Sequence, residues 1–327
     1  MFKVAMVSRW HDHAPGYART LKNMDNVKIT AVWDDNKARG QKWAGELGVD
    51  FVADYDALLS GSDVDGIVCT APTTSHEDLM IRAAKAKKHI FTEKAMAPTV
   101  KECENIGKAI AENGVVFVIS LPQRATPVIQ LAKKLIDSGE FGKISQVRIR
   151  NGHDGVSRDW LNEHWYDLSA TAGGAMMDLG CHPMYTACYL LDKPIKIASL
   201  MSSPFGSEMD ESASASILYE SGAVCTCETS FVTYSTPGAV EIYGSDATLL
   251  AYGKDVKFIS KKTAEFTEGY VVPKLPEALP IPIQQFVDAC VNKTGCPKGF
   301  TVQDGIDLTL LLENAYVSFK TGKIVDL

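Results

Sequence analysis

Residues 3–119 alternate between short runs rich in Val and Ile and longer amphipathic stretches. Strand-like runs stand at 3–7, 28–33, 50–53, 66–70, 89–92 and 115–119, with helical periodicity at 14–23, 36–47, 75–87 and 99–113. Buried strands that alternate with helices imply a doubly wound parallel sheet covered on both faces, an α/β Rossmann arrangement. Ligands in such a sheet gather beyond the carboxyl ends of the strands. The segments that follow each strand are therefore the ones to read for chemistry.

After the first strand comes SRWHDH (8–13), where a nucleotide-binding loop would show G-x-G-x-x-G. Ser8, Trp10 and His13 stand where glycines would let the backbone approach a pyrophosphate, and Arg9 lies among them. The loop either holds a nucleotide through side chains or is a surface turn with a locally packed aromatic. His11-Asp12-His13 has no further ligand close in sequence, so no metal is expected. The second strand ends in Asp34-Asp35. An acid there accepts hydrogen bonds from ribose hydroxyls and disfavours a 2′-phosphate, which points to Asp34 as the reader and to NAD over NADP. The alternative is a helix N-cap, which Asp35 serves equally well. In TAPTTSH (70–76), Thr70 and Pro72 cross the same shelf, Ser75 is placed to cap the next helix, and His76 falls in its first turn. The fifth strand ends in Glu93-Lys94. A lysine aimed into a cleft can hydrogen-bond a substrate hydroxyl and favour its ionised form; on the surface it would merely pair with Glu93.

A second concentration of chemistry is GGAMMDLGCHPMYTACYLL (173–191), which predicts one apolar helix. Asp178 and His182, four residues apart, would share a face with about 5–6 Å between Cβ atoms, with Tyr185 and Tyr189 nearby. Polar groups on an apolar helix need partners. They read either as a capping Asp with a satisfied core His or as an acid–base pair. Upstream, Trp160, His164, Trp165 and Tyr166 could wall a sugar pocket or simply cover the core.

Together, VAMV (4–7), Asp34, TAPTTSH (70–76), EKAMAPT (93–99) and GGAMMDLGCH (173–182) resemble the glucose–fructose oxidoreductase/inositol dehydrogenase (Gfo/Idh/MocA) family over nearly the whole chain. The resemblance implies that Lys94, Asp178 and His182 form the catalytic group. It places Ser8, Arg9, Trp10, His13, Asp34, Thr70, Pro72, His76, Glu93, Lys94 and Gln123 towards the cofactor. It places Arg124, Trp160, His164, Trp165, Tyr166 and Tyr185 towards the substrate. Two departures stand out. The glycine fingerprint is replaced by SRWHDH, and the proline of Glu-Lys-Pro is Ala95, for which a trans bond is expected because cis costs about 2.5–4 kcal/mol.

A chain of 327 residues exceeds one ordinary core. We expect a dinucleotide-binding domain at 1–122 and a substrate and oligomerisation domain at 123–327, with the C-terminal helices packing back on the first. Alternating runs at 195–201, 212–220, 223–232, 239–244, 247–253 and 256–260 predict an α+β domain with a large open, mainly antiparallel sheet. Its free face calls for a second copy, giving a homodimer or homotetramer. The Pro-rich loop 265–282 is expected to reach the active site or a partner subunit. A net charge of −7 with interleaved signs argues against nucleic acid or a membrane surface as partner. Scattered cysteines and no apolar run of membrane-spanning length fit a cytoplasmic protein. The expected activity is NAD-dependent oxidation of a ring secondary alcohol of a sugar, glycoside or cyclic polyol, or reduction of the keto form. The alternatives are NAD retained as an internal redox shuttle and a non-catalytic sensor or binding protein.

Overall fold

The computed structural model describes residues 1–263 and 267–327. The chain divides into two compact units, one of residues 1–121 and 280–309 and the other of residues 122–279 and 310–327. The first unit is thus discontinuous, and its boundary falls at Leu121.

In the first unit, β1 (Phe2–Val7), α1 (Ala14–Lys22), β2 (Val27–Trp33), α2 (Lys37–Leu47), β3 (Asp50–Phe51), α3 (Tyr55–Ser60), β4 (Gly66–Cys69), α4 (His76–Lys85), β5 (His89–Thr92), α5 (Val100–Asn113) and β6 (Phe117–Ile119) follow one another. The strands lie in the order β3-β2-β1-β4-β5-β6, every pair parallel. This is the doubly wound Rossmann order. Val4, Met6, Ile67, Val68, Ile90, Phe91 and Val118 are fully buried, as strands covered on both faces require. The edge strand β3 is shorter than the apolar run at 50–53 predicted, and β6 starts two residues later than expected.

In the second unit come α6 (Pro127–Asp137), β7 (Ile144–Gly152), α7 (Leu168–Thr171), α8 (Ala175–Asp178), α9 (Cys181–Leu190), β8 (Pro194–Ser202), β9 (Ser212–Tyr219), β10 (Val224–Ser230), β11 (Ala239–Gly244), β12 (Ala247–Tyr252) and β13 (Asp255–Ser260). The chain then returns to the first unit with α10 (Pro282–Asn292), whose Phe286 packs on Phe2 and Phe91 with ring centroids 5.7 and 5.9 Å apart. Helix α11 (Val302–Thr321) and β14 (Val325–Asp326) end the chain.

The second sheet runs β13-β12-β11-β7-β10-β9-β8-β14. It is mainly antiparallel, but β7 and β10 pair in parallel, so the expected simple meander is broken between β10 and β11. Residues 231–238 link those two strands and are too long a connection for a two-residue hairpin, which leaves room for β7 between them. The proposed reach of loop 265–282 lies partly outside the described residues; Leu279, near its end, donates its N–H to the Ala125 carbonyl. Among the described residues no helix is long and apolar enough to cross a membrane.

Gly40 brings α2 close against the end of β2. A Cβ there would stand 2.4 Å from the Phe51 ring and 2.6 Å from Asp34 Cβ. Alanine would otherwise favour the helix by about 1 kcal/mol. We expect Gly40→Ala to lower stability nonetheless, by about 1–3 kcal/mol of overpacking, read from the denaturant midpoint; a rise would refute the packing account.

Candidate active site

The loop that leaves β1 is held by two carboxylates, and the first is Glu93 at the tip of β5. Glu93 is 1% exposed. His13 Nδ1 lies 2.8 Å from its Oε1, the Lys94 N–H donates to its Oε2 at 3.1 Å, and Tyr17 donates its hydroxyl proton to Oε1. The Tyr17 hydroxyl also meets Ser120 Oγ at 2.7 Å. His11 Nε2 stands 3.9 Å from Oε2. The His13 N–H donates to His11 Nδ1 at 3.1 Å, so in the neutral ring it is Nε2 that carries the proton and faces the carboxylate. His11, His13 and Glu93 do bring three ligand-type atoms within 4.8 Å of one another. His11, however, presents an N–H to the group rather than a lone pair. Burial pushes the Glu93 carboxyl up, but the two imidazoles, the His13 hydrogen bond and the Lys94 ammonium outweigh it and hold it well below the usual carboxylate range.

The second carboxylate is Asp34. Its Oδ2 accepts the Arg9 N–H at 2.8 Å, and its Oδ1 accepts the Asn36 N–H at 2.9 Å. Arg39 adds Nε and Nη2 donors at 2.6–3.1 Å. The Asp34 side chain is wholly enclosed. This corrects the expectation that Asp34 is open to a ribose: the carboxylate is filled by Arg39 and two backbone amides. Asp35 is not the helix cap either. Asn36 caps α2, accepting the Arg39 N–H, while the Asp35 side chain is half-exposed and pairs with Arg39 Nη2 at 2.7 Å. Its carboxyl is pushed up, chiefly by desolvation and then by Asp34 beside it, against the pull of Arg39. A cavity of about 380 Å³ opens here among Trp33, Asp35, Ala71, Pro72, Ser75 and Arg82, beyond the ends of β2 and β4.

Other members of the expected cofactor set have structural partners. Ser8 is buried with φ +67°, and the Thr70 hydroxyl donates to its carbonyl at 2.5 Å. Trp10 is buried. Ser75 precedes α4 but makes no side-chain cap. His76 is buried with Nδ1 3.1 and 3.2 Å from the Ala95 and Met96 carbonyls and Nε2 3.0 Å from that of Ala71, so its ring serves the loop after β5 rather than a ligand. Burial pushes the His76 pKa down. The Lys94–Ala95 bond is cis, contrary to the trans expected for Ala. His76 holds the carbonyls on its far side, and Ala95 is itself buried. Arg9, His13 and Gln123 keep accessible surface; Lys94 is buried, 4% exposed.

In the second unit, the glycine pair is explained by close approach. A Cβ on Gly173 would meet the Tyr316 hydroxyl at 2.2 Å, and one on Gly174 the Asp210 carbonyl at 2.1 Å. Asp210 takes the Gly174 and Met176 N–H groups on its carboxylate at 2.9 and 2.7 Å, and Tyr316 donates to it at 2.8 Å. Asp210 thus does for α8 what an N-cap does, from a distant loop. The predicted single helix is two. It breaks after Asp178 because Gly180, lacking a Cβ, folds within contact of Met176, where a Cβ would stand 2.5 Å from the Met176 carbonyl. Asp178 therefore ends α8 and His182 is the second residue of α9, so the shared-face argument for one continuous helix does not apply to them.

His182 Nδ1 lies 2.8 Å from the Tyr185 hydroxyl, which accepts the Gln123 N–H at 3.1 Å. Tyr185 is 0% exposed, and Arg124, 1% exposed, donates to its carbonyl at 2.8 and 3.1 Å. Both were expected to touch substrate; the structure makes them the support of His182 and of α9 instead. Trp165 is also buried, so the aromatic wall reduces to Trp160 and Tyr166, with His164 partly covered. Trp160 is 53% exposed yet fixed, its Nε1–H donating to Asp154 at 2.9 Å and its ring 4.6 Å from His153. A larger cavity of about 530 Å³, among Arg150, Ser212, Glu228 and Thr233, involves none of the candidate residues.

A family model described as "Oxidoreductase family, NAD-binding Rossmann fold" matches residues 5–121, and one described as "GFO/IDH/MocA C-terminal domain" matches residues 129–250. The chain belongs to the GFO/IDH/MocA family. Within it, the chain is 26% identical over 322 residues to the scyllo-inositol 2-dehydrogenase (NAD(+)) of Bacillus subtilis, covering 94% of this chain and 91% of that protein. It is 34% identical over 162 residues to the 2,7-anhydro-N-acetylneuraminate hydratase of Escherichia coli, 48% of this chain and 41% of that one. A levoglucosan dehydrogenase solved with NADH and levoglucosan superposes with a TM-score of 0.85 at 20% identity, over 100% of this chain and 99% of that one, a likeness of fold. This GFO/IDH/MocA chain is therefore an oxidoreductase-family protein with an NAD-binding Rossmann domain and sugar and inositol dehydrogenases among its relatives.

Sequence reading missed Tyr17, Arg39 and Asp210. Tyr17 lies four residues after His13 and Arg39 five after Asp34, spacings that could have flagged them; Asp210 offers no local signal. Because the Glu93 pKa is depressed on folding, its contribution to stability is present above the ordinary value of 4.5 and is lost as the pH falls below it. Glu93→Gln should lower stability at neutral pH by about 1–3 kcal/mol and flatten the acid loss. Melting temperatures followed below pH 4.5 test this, and an equally steep loss in the variant would refute it.

Proposed function

We propose that the protein is a nicotinamide-dependent dehydrogenase for a ring secondary alcohol of a sugar, glycoside or cyclic polyol, or for the keto form in reverse, using NAD. The observation that carries this reading is Lys94. It is an ammonium buried at the carboxyl end of β5 in a sheet of Rossmann order, where such folds hold their ligands. The residues present fit a dinucleotide. Ser8 takes the left-handed backbone that a loop glycine would supply, and the cavity beyond β2 and β4 is of ligand size. The acidic pair at the end of β2 disfavours a 2′-phosphate.

When bound, the nicotinamide ring supplies the two-electron acceptor for the carbinol carbon. The chain's own part is the proton. His182 exchanges the hydroxyl proton at its Nε2, since Nδ1 is engaged by Tyr185. Lys94 donates a hydrogen bond to the same oxygen, stabilising the negative charge that builds there. Asp178 orients a neighbouring substrate hydroxyl. Trp160 and Tyr166 offer aromatic faces for the C–H face of a sugar ring. A second copy over the sheet face where Leu200, Val224 and Tyr252 stand exposed completes the reading.

Lys94→Ala and His182→Ala should each cut turnover by about 10²–10⁴-fold, the usual worth of a positioned acid–base group. Steady-state kinetics on a panel of sugars and inositols, followed by NADH absorbance, measures it. Losses below tenfold in both variants would overturn these roles.

A further inference from the structure

The cavity of about 530 Å³ in the second unit is floored by one face of the sheet, and strand register explains its lining. Leu200 pairs with Ser214, Ser214 with Glu228 and Glu228 with Arg150, so four side chains stand in a row across β8, β9, β10 and β7. The next row on that face is Ser202, Ser212, Ser230 and Gly152, where the glycine adds no side chain to the floor. Thr229, between the two rows, turns to the opposite face and reaches the Ala175 carbonyl at 3.4 Å. The link 231–238 forms the wall. Its Thr233 N–H donates to the His153 carbonyl at 3.1 Å, which holds Thr233 and Tyr234 beside the two rows.

Arg150 decides what this cavity can hold. Its Nε is buried and meets no hydrogen-bond acceptor among the described residues. The neighbouring acids are engaged elsewhere. Glu228 accepts two bonds from Arg148 at 3.0 and 3.1 Å, and Glu241 accepts the Tyr243 and Tyr252 hydroxyls at 2.6 and 2.7 Å. A guanidinium is always charged and matches a planar pair of oxygens. The volume is that of a small-molecule site.

We propose that this cavity binds a sugar acid, with its carboxylate on Arg150 and its hydroxyls along Ser202, Ser212 and Ser214. A serine hydroxyl both donates and accepts, as a polyol does, so a line of them suits such a molecule. Leu200 and Tyr234 give the carbon skeleton apolar surface. A phosphate dianion suits the site less. Glu228 stands beside Arg150 in the row, and with Arg148 answering Glu228 only one positive charge is left over. None of the residues assigned to catalysis lines this cavity, so the inference does not depend on the dehydrogenase reading.

The test is calorimetric titration of the full-length protein with glucuronate and with glucose 6-phosphate, in the wild type, Arg150→Met, Ser214→Leu and His182→Ala, alongside sedimentation. Glucuronate should bind the wild type and His182→Ala alike. It should bind Arg150→Met at least about tenfold more weakly, as loss of hydrogen bonds to a charged group implies. Ser214→Leu, which fills the floor between Leu200 and Glu228, should weaken it as much; should Arg150→Met fail to fold, this variant decides alone. Arg150→Met should leave any glucose 6-phosphate affinity unchanged. Absence of glucuronate binding in the wild type would overturn the inference, as would unchanged affinity in Ser214→Leu. Binding lost in His182→Ala but kept in Arg150→Met would overturn it too, placing the acid in the proposed catalytic site and leaving the dehydrogenase reading intact. Equal weakening of glucose 6-phosphate in Arg150→Met would overturn the choice of a carboxylate. If Arg150→Met instead splits a wild-type assembly that binds no glucuronate, a second copy fills the cavity and the inference falls.

Discussion

Two buried carboxylates hold the segment from Ser8 to His13. A carboxylate without water must be met by donors, and the penalty for leaving it unmet runs to several kcal/mol. Asp34 is met by backbone amides on either side of β2 and by Arg39. Glu93 is met by His13, Tyr17 and its neighbour's amide, with His11 alongside. The loop therefore has little freedom: its backbone answers one acid and its imidazoles answer the other. The histidines of this loop both face Glu93, His13 Nδ1 at 2.8 Å from its Oε1 and His11 Nε2 at 3.9 Å from its Oε2. Glu93 is thereby held ionised beside Lys94, its carboxyl well below the usual carboxylate range.

The second unit uses the same logic on α8 and α9. Four residues of helix cannot sustain themselves, since nucleation costs more than one turn returns. Asp210 and Tyr316 supply what α8 lacks by taking up the amides of its first turn. Gly173 and Gly174 are needed because those partners come within side-chain distance of the backbone. Helix α9 is anchored at its other face by Arg124 on the Tyr185 carbonyl, and the ring so held presents its hydroxyl to His182. His182 is thus placed through a chain of contacts that starts at the turn Pro122–Ala125.

How much of this was legible follows from the range of each signal. The parallel sheet was readable because strands buried on both faces appear as unbroken apolar runs, and the candidate residues followed from strand ends. Pairing order is not written locally, so the insertion of β7 between β10 and β11 had no signature. Gly180 was visible in the sequence, but the apolar pattern ran through it and hid the break between α8 and α9. Asp210 satisfies amides 36 residues earlier, and no short-range pattern reports that. The reversal between Asp34 and Asp35 is subtler. The two are adjacent, so they point to opposite sides of an extended chain. Which one turns inward is decided by where the guanidinium of Arg39 comes to rest.

Ser8 shows why the missing glycine fingerprint is not an isolated change. The first glycine of such loops serves a tight turn with positive φ, and Ser8 adopts that backbone at φ +67°. A side chain there costs about 1–2 kcal/mol. Its hydroxyl offsets this by accepting from the Trp10 N–H and from Arg39, both at 3.2 Å, and by donating to Asp35 at 3.3 Å. Hydrogen bonds of this kind contribute about 0.5–1.5 kcal/mol each, enough together to balance the strain. A glycine would relieve the backbone but release Arg39 and Asp35 from the loop. The turn after β1 and the acids after β2 are therefore one network, in which the loop's departure from glycine and the choice of acid facing the cavity depend on each other.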